Sequence, residues 1–113
     1  MTNIGKIVDY YTYRVIWSEE DKEHVGLCSE FPSLSHLAKD KYDAYRGIIN
    51  LVTDVAKDMV KNRETIPEPI SVRKFSGKFQ LRLTPEKHRE LVLRATDEGV
   101  SLNRYIVQLL NYA

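Results

Sequence analysis

Lys78, Gln80 and Arg82 are polar residues at alternate positions, set between Phe79, Leu81 and Leu83 in the run GKFQLRL. In an extended backbone the two sets point to opposite faces. Lys and Arg donate to guanine N7 and O6, and Gln pairs with adenine, so the polar face has the groups needed to read base edges in a major groove. A solvated sheet edge would show the same alternation, with the cations serving only solubility. Other reactive groups are less well organised. The carboxylates of Asp9, Glu30, Asp40, Asp43, Asp54 and Asp58 could supply paired acids for metal-dependent phosphodiester cleavage. Such a site needs several acids converging from strands, and only Asp9 and Glu30 fall at plausible strand positions. The rest read as turns, caps and an outer helix face. His24, His36 and His88 lie far apart, with no Cys or His at ligand spacing, so no zinc site is expected. There is no P-loop, no G-x-S-x-G and no H-E-x-x-H. Cys28 has no candidate base beside it and reads as a small buried hydrophobe. No catalytic residue, metal or cofactor is expected.

The elements that would position the three polar residues follow directly. Thr84 supplies an N-cap hydroxyl and Pro85 sits at the first helical position, where its missing N–H costs nothing. Leu91, Val92 and Ala95, with Val100 just beyond, fall at helical spacing, and Gly99 is placed to end the helix in a left-handed conformation. Ser101 can cap a second helix with the stripe Leu102, Tyr105, Ile106, Leu109 and Leu110. A lone strand followed by two helices leaves backbone N–H and C=O groups without partners. A second copy pairing antiparallel across a two-fold axis supplies them, so a homodimer or higher oligomer is expected. Phe79, Leu81 and Leu83 would then face a core of four helices, and Lys78, Gln80 and Arg82 would stand on the open face. Over Lys78 to Ala113 the sequence resembles the ribbon-helix-helix family of the Arc and MetJ type, on KFQLRL, the capped helix and GVSLN. The resemblance implies that Lys78, Gln80 and Arg82 read bases of double-stranded operator DNA. It also implies that the amides of Ser101, Leu102 and Asn103 clamp a phosphate, which a helix N-terminus favours on physical grounds as well.

The chain has 113 residues, enough for one ordinary domain or two very small ones, and 42% hydrophobic with 29% charged residues argues against wholesale disorder. A net charge of +1 says nothing about partners, but its distribution does. Between Ile70 and Arg94 the cations Arg73, Lys74, Lys78, Arg82, Lys87, Arg89 and Arg94 face only Glu86 and Glu90. No apolar run approaches a membrane span, and MTNIGKIVDY lacks the hydrophobic core of a signal peptide. A cytoplasmic location is expected, and a single cysteine suits a reducing compartment.

Towards the N-terminus, Asp9 to Ser18 is dense in aromatic and β-branched residues and predicts a strand, with Tyr11, Tyr13, Val15 and Trp17 on one face. Glu19 to His24 reads as a turn, Val25 to Phe31 as a second strand broken by Pro32-Ser33, and Leu34 to Ala38 as a third. Asp40 opens a helix, with Asp43 completing an acidic variant of the capping box. Tyr45, Ile48, Ile49, Val52, Val55, Ala56, Met59 and Val60 form its apolar face through Lys61. Asn62 to Ile70, with two prolines and no periodicity, reads as a stiff linker. The expected class is α+β: a three-stranded antiparallel sheet with one packed helix over residues 1–62, a linker over 63–76, and the strand-helix-helix unit over 77–113.

The whole pattern resembles the HicB family of antitoxins. The resemblance is carried by Gly26 to Leu34 (GLCSEFPSL), Asp43-Ala44, Ile66-Pro67-Glu68-Pro69 and Phe75-Ser76-Gly77-Lys78-Phe79. It implies an N-terminal unit like a truncated ribonuclease H without its active site, covering a HicA-like mRNA interferase toxin, and a tail that represses the shared operon. Many family members carry Pro-Gly-Cys after the second strand; here the residues are Pro32-Ser33-Leu34-Ser35-His36. Two other readings stand beside it. One is a solitary regulator whose N-terminal unit oligomerises or senses a ligand, and the other is a small nuclease using the acids named above.

Overall fold

The computed structural model describes residues 3–111. The chain divides into two compact units, one running through Phe75 and the other from Ser76.

In the first unit α1 (Ile4–Asp9) leads into strands β1 (Tyr13–Ser18), β2 (Glu23–Cys28) and β3 (Ser35–Ala38), which form an antiparallel sheet in the order β1-β2-β3, followed by α2 (Lys41–Lys61). Val15, Gly26 and His36 lie in register across the sheet. Helix α2 covers this face at very close range. A Cβ on Gly26 would lie 2.3 Å from the Ala44 carbonyl oxygen and 2.9 Å from the Ile48 Cβ, so only glycine lets the helix backbone approach this near. The His36 ring in turn occupies the space where a Cβ on Gly47 would stand.

Asp40 caps α2 by accepting the N–H groups of Tyr42 (2.7 Å) and Asp43 (3.3 Å). The reciprocal half of the expected capping box is not made, because Asp43 pairs with Arg46 instead (2.7 Å). Ala44, Ile48, Val52 and Ala56, one turn apart, are fully buried. Burial of Ile48 and Val52 contributes about 1.5–3 kcal/mol each. Tyr45, expected on the apolar stripe, is half-exposed, and Ala44 takes its place at the contact with β2. The helix ends without a glycine. Arg63 adopts φ +62°, donating to the Val60 carbonyl while Glu64 donates to that of Met59, the paired bonds of a Schellman ending.

The strand expected from Asp9 starts only at Tyr13, because the residues before it belong to a helix and a bend. Asn3 caps α1 through Lys6 N–H, and Val8 is buried in the core. The buried Tyr11 then takes the chain inward rather than along a sheet. Its ring packs edge-on against Phe31 with centroids 5.3 Å apart, and its hydroxyl donates to the Pro67 carbonyl at 2.7 Å. A tertiary anchor overrides the aromatic strand propensity here. Strand β2 similarly ends at Cys28 rather than Phe31, since Phe31 turns into the core and its N–H bonds the Cys28 carbonyl. It also starts at Glu23, so the turn is shorter than expected.

Residues read as a linker hold fast to this unit. Pro69 is buried, Tyr11 bonds Pro67, Ser71 donates its hydroxyl to the Tyr10 carbonyl (2.6 Å), and Ile70 N–H donates to Glu30 (2.9 Å).

The second unit contains α3 (Pro85–Asp97) and α4 (Leu102–Asn111), and no strand lies among its described residues. Thr84 caps α3 through Lys87 N–H (3.2 Å), with Pro85 opening the helix. Gly99, at φ +71°, closes it: its N–H bonds the Thr96 carbonyl and Val100 N–H bonds that of Ala95. Ser101 caps α4, its hydroxyl oxygen accepting Arg104 N–H at 3.1 Å. Ala95 and Tyr105 are the buried residues where the two helices meet.

Candidate nucleic-acid interface

The segment that enters α3 is where the second unit is least complete. Among the described residues, no backbone–backbone hydrogen bond involves Phe79 to Leu83. Its apolar residues are open to solvent, Phe79 at 79% exposure, Leu81 at 58% and Leu83 at 44%. Two of the five residues of the expected buried stripe of α4 are open too, with Leu109 and Leu110 exposed while Tyr105 is buried and Leu102 and Ile106 are partly so. Between the segment and α4 runs a groove of about 400 Å³ lined by Phe79, Leu81, Ile106, Val107 and Leu110. Apolar area of this kind, continuous along a segment and a helix, is a candidate interaction surface.

Lys78, Gln80 and Arg82 are all exposed. Lys78 and Asn103 border the same groove, so the first polar residue of the segment and the start of α4 are neighbours. The hydroxyl of Ser101 is occupied by its cap, but among the described residues the N–H groups of Ser101, Leu102 and Asn103 have no protein acceptor. Lys78 and Arg82 have no acidic partner among the described residues, whereas on α3 Glu90 pairs with both Lys87 (3.2 Å) and Arg94 (2.7 Å). Those two cations, Lys87 first, hold the Glu90 carboxyl below its usual value. The uncompensated positive charge of this unit therefore includes the segment before α3.

The acids weighed for hydrolysis do not converge. Asp9 is the last residue of α1, not a strand residue. Glu30 is engaged structurally: its carboxylate accepts Thr12 N–H (2.8 Å), the Thr12 hydroxyl (3.2 Å) and Ile70 N–H (2.9 Å). Burial pushes this carboxyl up, but the N–H groups of Thr12, Ile70 and Glu30 itself outweigh it and hold it below the usual range. No group of three or more His, Cys, Asp or Glu among the described residues is placed to hold a metal ion. Cys28 is buried, and burial raises its pKa, which keeps the thiol protonated.

A second concavity was not anticipated from sequence. In the first unit, Asp9, Tyr10, Tyr13, Tyr45, Ile49 and Ser71 surround a cavity of about 380 Å³. The density of tyrosines in DYYTY was the available signal, but reading it as one continuous strand hid the bend that gathers them.

The chain is thus an α+β protein of two compact units, the second of which offers an unpaired polar–apolar segment ahead of two capped helices. The HicB family model matches residues 62–110, from the end of α2 through nearly all of the second unit, and the sheet lies outside that span. No curated protein and no solved structure gives a significant match. No helix among the described residues is long and apolar enough to cross a membrane.

Proposed function

We propose that the chain is a HicB-type antitoxin that represses transcription as a dimer, while its first unit binds and blocks a HicA-like toxin. The observation that carries this reading is the unpaired segment Phe79 to Leu83, with its apolar side chains exposed and its polar side chains unpaired. Antiparallel pairing with the same segment of a second chain satisfies both backbones and covers Phe79, Leu81 and Leu83 against the helices. The resulting two-stranded ribbon carries Lys78, Gln80 and Arg82 in duplicate on its outer face, at a width that fits the major groove. The free N–H groups at the start of α4 then donate to a flanking phosphate. The HicB match over residues 62–110 supports the same reading and brings the toxin into it.

The test is a pair of measurements on the full chain. Sedimentation establishes whether it is a dimer or larger, and fluorescence anisotropy against the DNA upstream of its own reading frame establishes sequence-specific binding. A monomer that binds all DNA alike would overturn the repressor half. Co-expression with a short basic reading frame adjacent to this one tests the other half, by co-purification and relief of toxicity.

A further inference from the structure

We propose that the cavity framed by Asp9, Tyr10, Tyr13 and Tyr45 is a seat for one arginine side chain of a basic protein partner. At about 380 Å³ it has room for a guanidinium and its aliphatic stem. Tyr13 and Tyr45 pack edge to face, centroids 6.3 Å apart at 77°, and form two aromatic walls. Tyr10 and Tyr45 are 40% and 46% exposed, which leaves the mouth open to a side chain arriving from outside. Ring faces carry the negative lobe of the aromatic quadrupole and attract a planar cation over them.

The polar groups of the cavity are unevenly satisfied, and the one charged side chain on its lining is Asp9. The Tyr13 hydroxyl donates to the Val8 carbonyl (2.9 Å) and the Ser71 hydroxyl to the Tyr10 carbonyl (2.6 Å), so both donors are already engaged. Neither is available to neutralise Asp9. Among the described residues Asp9 forms no ion pair, and it sits at the C-terminal end of α1, where the backbone already favours a cation. Asp9 and Tyr13 line the same cavity, and the Tyr13 phenol is pushed up by burial first and, last among the neighbouring charges, by Asp9. Guanidinium suits this setting better than ammonium, because it stacks on aromatic faces while forking hydrogen bonds to a carboxylate. The inference rests on the partner-binding role proposed for this unit. A ribonuclease toxin must hold an RNA backbone and therefore displays arginines and lysines.

The test uses the full chain and N-acetyl-arginine-methylamide as probe, with the neutral citrulline analogue as control, followed by amide chemical shifts in NMR. Saturable shifts are expected at Asp9, Tyr10, Tyr13 and Tyr45 for the arginine probe alone. Asp9→Asn, at an exposed helix end, is expected to weaken the binding about three- to fivefold and Tyr45→Ala by a similar factor. Equal response to citrulline, unchanged binding in Asp9→Asn, or no response at these residues would each overturn the proposal. Saturation by spermidine at lower concentration would assign the seat to a free polyamine and overturn it as well. None of these outcomes touches the DNA-binding half of the proposed function, which is read out separately.

Discussion

The carboxylate of Glu30 accepts the backbone N–H of Ile70 at 2.9 Å, joining residues 40 positions apart. Its other hydrogen bonds reach Thr12, just before β1, so one side chain ties the lead-in to the first strand, the exit of the second and the proline-rich strap together. Glu30→Ala is expected to lower the stability of the first unit by about 1–3 kcal/mol, as its charged hydrogen bonds to Thr12 and Ile70 are lost. The Ile70 amide should then exchange with deuterium much faster than in the parent chain. Unchanged denaturation midpoints and unchanged exchange would refute the role.

The same group makes a pH statement. Its folded pKa is lowered, so its contribution is fully present above the ordinary value of 4.5 and is lost as pH falls through the lowered folded value. Acid titration of the parent chain should therefore show a loss of stability below about pH 4.5 that Glu30→Gln lacks. Parallel pH profiles for the two would contradict it.

Gly26→Ala is expected to destabilise the first unit by about 1–3 kcal/mol, since the new methyl meets backbone, the Ala44 carbonyl, which cannot swing aside. Thermal melts followed by circular dichroism would measure this. Arg63→Gly is expected to act in the opposite direction, adding about 1 kcal/mol, because glycine takes the left-handed conformation at the end of α2 without the Cβ penalty. A fall in urea midpoint for this variant would show that the arginine side chain matters more than its backbone.

In the second unit, Leu81→Asp is expected to abolish self-association and specific DNA binding together while leaving the first unit folded. Arg82→Ala should instead keep the dimer, cost about 1–3 kcal/mol on the specific site and relax its sequence preference. Binding by the parent should weaken steeply with salt, because phosphate contacts displace counterions. An assembly that survives Leu81→Asp would place the interface elsewhere.

Much of the α+β layout was legible in the sequence. Periodicity from Ile48 to Ala56, the caps at Asp40, Thr84 and Ser101, and Gly99 at the end of α3 are local signals, and local signals survive into the structure. What was not legible depends on distant partners. Nothing near Tyr11 in sequence announces that its hydroxyl will meet Pro67, and that contact bends the chain away from the strand expected from Asp9. Likewise Gly26 and Gly47 look unremarkable until the helix and His36 are seen to occupy their missing methyl groups. For the candidate site, the alternation of Lys78, Gln80 and Arg82 with apolar neighbours was plain. The cavity among Asp9, Tyr10, Tyr13 and Tyr45 was hidden, because it draws on a helix end, a bend, a strand and a second helix at once.

From Phe79 to Leu83 the peptide groups of a solitary chain lie bare, and proteases grip their substrates as bare, extended backbone. If this segment pairs with its own copy as proposed, dilution is expected to invite cleavage at this spot, and a higher concentration of the chain to shield it by mass action. On that reading, the molecule's lifetime would be a gauge of its own abundance.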